Sequence, residues 1–310
     1  MKKYLIFAII LILSLSLFAC GETKTPENDT PTTEATTTQK APKTERAPEV
    51  VVNMAEVPEA ATPNERFADH PALALWDDVS LIPSYAEFEN IPCFVPYLSE
   101  GDGGLIILVQ GTTDDGAYYE NEGAPVAEYL NSLGYDVLIC KYRPTDAYTA
   151  AEDIRRALAL ALYTASDFGV NSTKVALMAF GNGALASFIT CCDYESMSAV
   201  DGIDTIPAKP AALLLINPDM KNENGPFANA THEKAPSQSL RLGIYYDAEV
   251  PYYNDVIDFA YKSKDEYRLL SAEVHSLEFP EEFELDGERA EAYAEFYSLI
   301  QNFLKSLKFS

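Results

Sequence analysis

The segment Val175-Ala176-Leu177-Met178-Ala179-Phe180-Gly181-Asn182-Gly183-Ala184 constrains this chain more than any other. Its apolar run reads as a strand buried on both faces, and the closely spaced glycines that follow leave room for a sharp turn straight into a helix. Gly181 and Gly183 have an ordinary explanation there, because such a turn needs backbone angles that other residues resist.

The N-terminus speaks about location before fold. Lys2 and Lys3 precede an apolar run from Tyr4 to Phe18 that ends in Leu17-Phe18-Ala19-Cys20. These are the basic, apolar and small-residue regions of a secretory signal, and the run is shorter than the ~18 to 20 residues that span a bilayer. The cysteine at the cleavage point resembles the lipobox of bacterial lipoproteins, which implies lipidation of Cys20 and a lipid anchor on the extracytoplasmic side of a bacterial membrane. Residues 21 to 60 are rich in Thr, Pro, Glu, Ala and Lys, with no aromatic residue. Such a stretch buries too little apolar surface to offset the entropy of ordering, so it reads as a disordered tether. Residues 61 to 310 then suit one large domain.

A formal charge of −26, from 48 Asp plus Glu against 22 Lys plus Arg, argues against nucleic acid, whose phosphates need a basic face. The acidic surface serves solubility and defines neither fold nor substrate. Beyond Cys20 the cysteines are Cys93, Cys140, Cys191 and Cys192. They lack metal-ligand spacing and are too few for a disulfide framework, so buried thiols are expected, with a Cys93–Cys140 bridge as the one candidate pairing. No metal and no cofactor is expected.

From Cys93 onward, apolar runs of strand length alternate with helical patterns. Residues 93–98, 105–109, 137–141, 175–180, 211–216, 240–246 and 273–279 read as strands, and 124–133, 151–167, 184–193, 255–269 and 287–308 as helices. Gly134 and Gly169 stand as helix stops. The alternation points to an α/β domain with a doubly wound, mostly parallel sheet flanked by helices. Periodicity would equally permit a Rossmann-like or flavodoxin-like order, but no Gly-x-Gly-x-x-Gly follows the first strand and no phosphate-cradling loop ends in Lys-Ser or Lys-Thr.

Several blocks in order carry a resemblance: Ala74-Leu75-Trp76 with Ile91-Pro92; Glu122 to Ala127 running into Leu130 to Tyr135; Lys141-Tyr142-Arg143; Asp153 to Leu158; Val175 to Gly183; Pro210 to Pro218; and Asp247 to Pro251. From about Leu73 to the C-terminus the chain looks like the α/β-hydrolase esterases related to acetyl esterases and acetylxylan esterases. The resemblance implies that fold, without a large cap domain, and acyl transfer by a serine, a histidine and an aspartate.

Residue by residue, the resemblance implies a degenerate site. The nucleophile of the Gly-x-Ser-x-Gly turn maps onto Gly181, which has no attacking atom, with Asn182 beside it. The triad acid maps onto Asp247, which is equally an ordinary turn residue after a strand. The histidine position falls on Glu282 or Phe283, and the chain's histidines, His70, His232 and His275, each sit elsewhere. The oxyanion loop maps onto Gln110-Gly111-Thr112-Thr113-Asp114-Asp115-Gly116, with one glycine where the family has a run; its two carboxylates suit a solvated turn or a hydroxyl-rich ligand better than a developing anion.

Three functions follow from these residues. One is an esterase homologue without serine-esterase activity that binds a ligand or partner through the old cleft, a carbohydrate or acylated small molecule among the candidates. A second is a working carboxylic-ester hydrolase with a displaced nucleophile such as Thr112, Thr113 or Ser187. A third is a structural role at the cell envelope, with the acidic exterior or the aromatic stripe Tyr293, Phe296, Tyr297, Ile300 and Phe303 contacting another protein, although the stripe's spacing suits packing onto the sheet. The acids Glu281, Glu282 and Glu284 read as a solvated loop rather than a catalytic pair.

Overall fold

The computed structural model describes residues 72–76, 82, 91–99, 101, 103–165, 172–193, 200–221, 225–228, 230–231, 235–237, 239–247, 253–265, 271–277 and 294–307. Among them eight strands form one sheet. They are β1 (Leu73–Ala74), β2 (Cys93–Tyr97), β3 (Leu105–Val109), β4 (Asp136–Lys141), β5 (Val175–Phe180), β6 (Ala212–Ile216), β7 (Arg241–Asp247) and β8 (Ser271–Leu277). Their order is β1-β2-β4-β3-β5-β6-β7-β8. The first two strands run antiparallel to their neighbours, and every pairing from β4 through β3 to β8 is parallel.

Parallel strands need crossovers, and described helices lie in the connections from β3 to β4, β4 to β5, β5 to β6 and β7 to β8. The described helices are α1 (Ala124–Ser132), α2 (Ala147–Thr164), α3 (Gly181–Asp193), α4 (Tyr253–Asp265) and α5 (Ala294–Ser306). The core has two halves, one on each face of the sheet. On one face α2, α3 and α4 cover Leu105, Ile107, Leu177 and Leu213. On the other, α1 and α5 cover Ile106, Leu108, Met178 and Leu214. Adjacent residues of a strand thus feed opposite layers, which is why these strands are apolar throughout rather than alternating.

Some element ends differ from the sequence expectation. Helix α2 begins at Ala147 because Asp146 caps it, its carboxylate accepting from the backbone N–H of Tyr148 and Thr149. Helix α3 begins at Gly181, three residues before the expected Ala184, since the turn after β5 is already helical. Gly134 ends α1 as expected, at φ +91°, whereas Gly169 lies outside the described residues. The short strand β1 was not expected, as two residues carry no periodic signal.

A buried ion pair joins the end of β4 to α2. The guanidinium of Arg143 donates to both carboxylate oxygens of Asp153, at 2.9 and 2.6 Å, and the Arg143 backbone N–H adds a third bond at 2.8 Å. One turn further along α2, Arg156 donates to the Leu75 carbonyl at 2.7 Å and pairs with Asp201 and Asp204, tying β1 and the 200–205 segment to the helix. The candidate bridge between Cys93 and Cys140 is not formed. In the register Cys93 lies opposite Lys141 and Cys140 opposite Phe94, so the thiols point to opposite faces of the sheet. Both are buried, and burial pushes Cys93 up to about 12.

Candidate functional site

The C-terminal ends of β3, β5, β6 and β7 lie side by side, with Val109 against Ala179, Phe180 against Ile216, and Ile216 against Tyr245. The residues immediately beyond these ends therefore share one edge of the sheet, the edge where open α/β sheets hold their ligands. Gly181 leads β5 into α3 at φ +50°, in the left-handed region that favours glycine. A Cβ built there would meet nothing closer than the Gly111 Cα at 3.7 Å, so the position has space for a side chain and carries none. Gly183 is different. A Cβ there would lie 2.5 Å from the Gln110 carbonyl oxygen, because α3 starts hard against the end of β3.

Beyond β3 the chain makes a small closed hairpin. Thr112 bridges Tyr118, and Thr113 donates its N–H to the Ala117 carbonyl at 2.8 Å, around a turn in which Gly116 takes φ +84°. Asp114 and Asp115 are exposed on that turn, and Asp115 accepts from the Thr113 hydroxyl, which lowers its carboxyl below the ordinary value. The two carboxylates expected near the cleft are thus turn residues.

A different acid reaches the loop. Glu122 lies in the single turn of 3-10 helix Glu120–Glu122 ahead of α1, and its Oε2 accepts from the Gly111 N–H at 2.7 Å. Gly123 makes this approach possible, since a Cβ there would lie 2.6 Å from the Gln110 side-chain nitrogen. Gln110, fully buried, then holds the turn in place. Its Nε2 donates to the Tyr119 carbonyl at 2.7 Å, its Oε1 accepts from Lys141 Nζ at 2.6 Å, and its carbonyl accepts from the Tyr142 hydroxyl at 2.8 Å. Burial lifts the Glu122 carboxyl to about 8 against the lowering effect of the Gly111 N–H, and burial likewise brings the Lys141 ammonium down to about 8. The Lys141 ammonium also lies over the Tyr118 ring, 4.2 Å from its centroid.

Asn182, the residue after the empty position, faces the same hairpin. Its Oδ1 accepts from the Thr112 N–H at 2.8 Å, while its Nδ2 donates to the Thr112 carbonyl at 3.1 Å and hydroxyl at 3.0 Å. Across the edge, Asp219 donates its N–H to the Gly181 carbonyl at 3.0 Å, and the Asp247 N–H donates to Asn217 Oδ1 at 2.7 Å. Asn217 takes φ +43° to do this, a conformation asparagine tolerates. Gly181 and Asp247 are in this way linked through the 217–219 segment.

The structure brings Gly111, Thr112, Gly181, Asn182 and Asp247 to one sheet edge and places Thr113 on the exposed side of its hairpin. Cys20, Glu282, Phe283, His70 and His232 lie outside the described residues, as do Glu281, Glu284 and Tyr293. His275 sits inside β8, where its ring stacks on Tyr245 with centroids 5.3 Å apart. Ser187 is fully buried in α3, and its hydroxyl has no hydrogen-bond partner among the described residues, which leaves it without a base. Phe296, Tyr297, Ile300 and Phe303 are buried against the sheet, so that part of the aromatic stripe is core. Among the described residues no group of three or more His, Cys, Asp and Glu side chains is placed to hold a metal ion.

The sequence reading put Gln110 at the start of the oxyanion loop and Glu122 and Lys141 among the blocks of the resemblance, and gave none of the three a role of its own in the site. A polar residue directly after a wholly apolar strand, as Gln110 is after Leu105–Val109, is the one signal that marks this spot.

No family model and no curated protein sequence matches this chain. Solved structures do. An acetyl ester-xyloside bifunctional hydrolase from Caldicellulosiruptor lactoaceticus superposes with a TM-score of 0.63 at 18% identity, over 77% of this chain and 96% of that one. An esterase from the Planctomycetes species Thermogutta terrifontis gives 0.60 at 15% identity, over 78% and 94%. An α/β-hydrolase enzyme from a Medee basin deep-sea metagenome library gives 0.57 at 12% identity, over 76% and 96%. At such identities the likeness speaks for the backbone, and with the strand order and the turn at Gly181 it shows that this chain has the α/β-hydrolase fold.

Proposed function

We propose that this chain is an esterase-like α/β-hydrolase homologue without serine-esterase activity, anchored to a bacterial membrane through Cys20, that binds a ligand or partner at the edge around Gly181. The observation that carries this reading is Gly181 itself. The turn that would present a nucleophile is built, with its left-handed φ and its space, and holds no attacking atom. Losing one triad member costs about 10⁶ in turnover in a serine hydrolase, and the position resembling the histidine is Glu282.

A displaced nucleophile finds less support. The Thr112 hydroxyl accepts from Asn182, the Thr113 hydroxyl closes its own turn, and Ser187 is sealed in the core. A carbohydrate or an acylated small molecule is the ligand class suggested by the esterase relatives, since the first is named for acetyl ester-xyloside hydrolysis.

The test is hydrolysis of an aryl acetate by the full-length protein in detergent, alongside Asp247→Ala. No turnover above buffer is expected from either. Wild-type turnover abolished by Asp247→Ala would overturn the reading and send the search to another nucleophile.

A further inference from the structure

Two side chains take up the backbone amides of the loop after β3. Asn182 accepts from Thr112, and Glu122 accepts from Gly111. The second contact is unusual in kind. Gly111 is the nearest atom group to the empty side-chain position of Gly181, at 3.7 Å from a Cβ built there, and the Glu122 carboxyl lies within 3.1 Å of where a Gly111 Cβ would stand. A carboxyl oxygen therefore rests on an amide beside the vacant turn, in the arrangement by which a backbone donor receives an oxyanion. The turn at Glu120–Glu122 is held there by Gln110 and by the Tyr119 N–H, which donates to the Gly111 carbonyl at 3.1 Å.

We propose that Glu122 is an internal occupant of an oxyanion-accepting site at Gly111, so that a small carboxylate ligand enters this end of the cleft only by exchange with the Glu122 side chain. This rests on the reading of the edge as a binding site rather than a catalytic one. Near neutrality the half-buried carboxyl retains its proton, with its value lifted to about 8, and an incoming carboxylate meets no like charge. As pH rises through 8 the ionised Glu122 grips the Gly111 N–H more strongly and repels the ligand.

The groups facing Glu122 do not share this behaviour. Burial raises Tyr119 and Tyr142 above the ordinary phenol value, Glu122 adding to each, and both stay neutral in that range. Asp114 and Asp115 are on the exposed turn. Lys141, on the far side of Gln110, titrates in the same window and must be separated by experiment.

Gln110-Gly111 is the one Gln-Gly pair in the chain, so carbonyl-13C glutamine with 15N glycine labels the Gly111 amide alone. In the full-length protein in detergent, that amide should shift with an inflection near pH 8 in the wild type and lose the inflection in Glu122→Gln. Acetate should bind Glu122→Ala about tenfold more tightly than wild type, the loss of one opposing hydrogen bond. Its affinity for the wild type should fall as pH passes 8.

An inflection that survives Glu122→Gln would assign the titration to Lys141 and overturn the proposal. So would acetate shifting the wild-type amide as readily as the variant's. Should Glu122→Ala not fold, the wild-type and Glu122→Gln titrations decide the matter. These readouts are independent of ester turnover, so this inference and the functional reading fail separately.

Discussion

The side-chain amide of Asn182 grips both backbone groups of Thr112, accepting from its N–H at 2.8 Å and donating to its carbonyl at 3.1 Å. The residue beside the vacant turn position thus does what a neighbouring strand would do, and fixes the start of the hairpin after β3 against the first turn of α3.

Asn182→Ala should lower stability by about 2 kcal/mol, because it leaves the buried Thr112 N–H and carbonyl without these partners. Asn182→Asp, which keeps the acceptor and loses the donor, should fall between that variant and wild type. Urea unfolding of the three proteins checks the order, and equal midpoints would show that the clasp contributes nothing.

The two glycines of the turn should differ in tolerance. Gly181→Ala meets only ordinary contact with the Gly111 Cα, 3.7 Å away, and suffers its left-handed φ, a cost of about 1 kcal/mol. Gly183→Ala drives a methyl against the Gln110 carbonyl oxygen, a backbone atom that cannot swing aside, and should cost about 3 kcal/mol. Thermal unfolding should give Gly183→Ala the lower midpoint, and the reverse order would contradict the packing described.

Asp153→Ala should be among the most damaging single changes, at about 3 to 5 kcal/mol, since it strands the buried Arg143 guanidinium. Replacing both partners together, as Arg143→Met with Asp153→Leu, should be less harmful than Asp153→Ala alone. A double-mutant cycle by urea unfolding measures this directly.

Glu122 contributes a definite pH dependence. Its value in the fold, about 8, exceeds the ordinary 4.5, so between those values the folded chain keeps a proton that the unfolded chain has released. Stability therefore falls as pH rises from 4.5 to 8 and levels off above, and Glu122→Gln should remove that slope. Unfolding at pH 5, 6.5 and 8 should show the variant gaining on wild type at each step. A constant difference would mean that the carboxyl is ionised throughout.

The fold was legible in the chain because buried parallel strands write themselves as unbroken apolar runs. Leu105–Val109, Val175–Phe180 and Ala212–Ile216 could be read off almost to the residue. Helix starts were less legible. The cap at Asp146 lies five residues before the apolar spacing of α2 declares itself, and the turn at Gly181 is helical while still looking like loop. The candidate site divided in the same way. Gly181, Asn182 and Asp247 stand at places the order of elements marks out, whereas Glu122 reaches the loop across eleven residues through a hairpin that no local pattern encodes.

By itself, then, the amino-acid order determined the α/β class, the parallel sheet and the empty turn after β5, because those depend on short-range periodicity and on which residue carries a side chain. Only the tertiary structure decided which acid meets the Gly111 amide, that Asp114 and Asp115 face solvent, and that Cys93 and Cys140 point apart. Those outcomes depend on strand register and on how closely Gly123 lets one turn approach Gln110, quantities set by packing between distant segments rather than by neighbours in the chain.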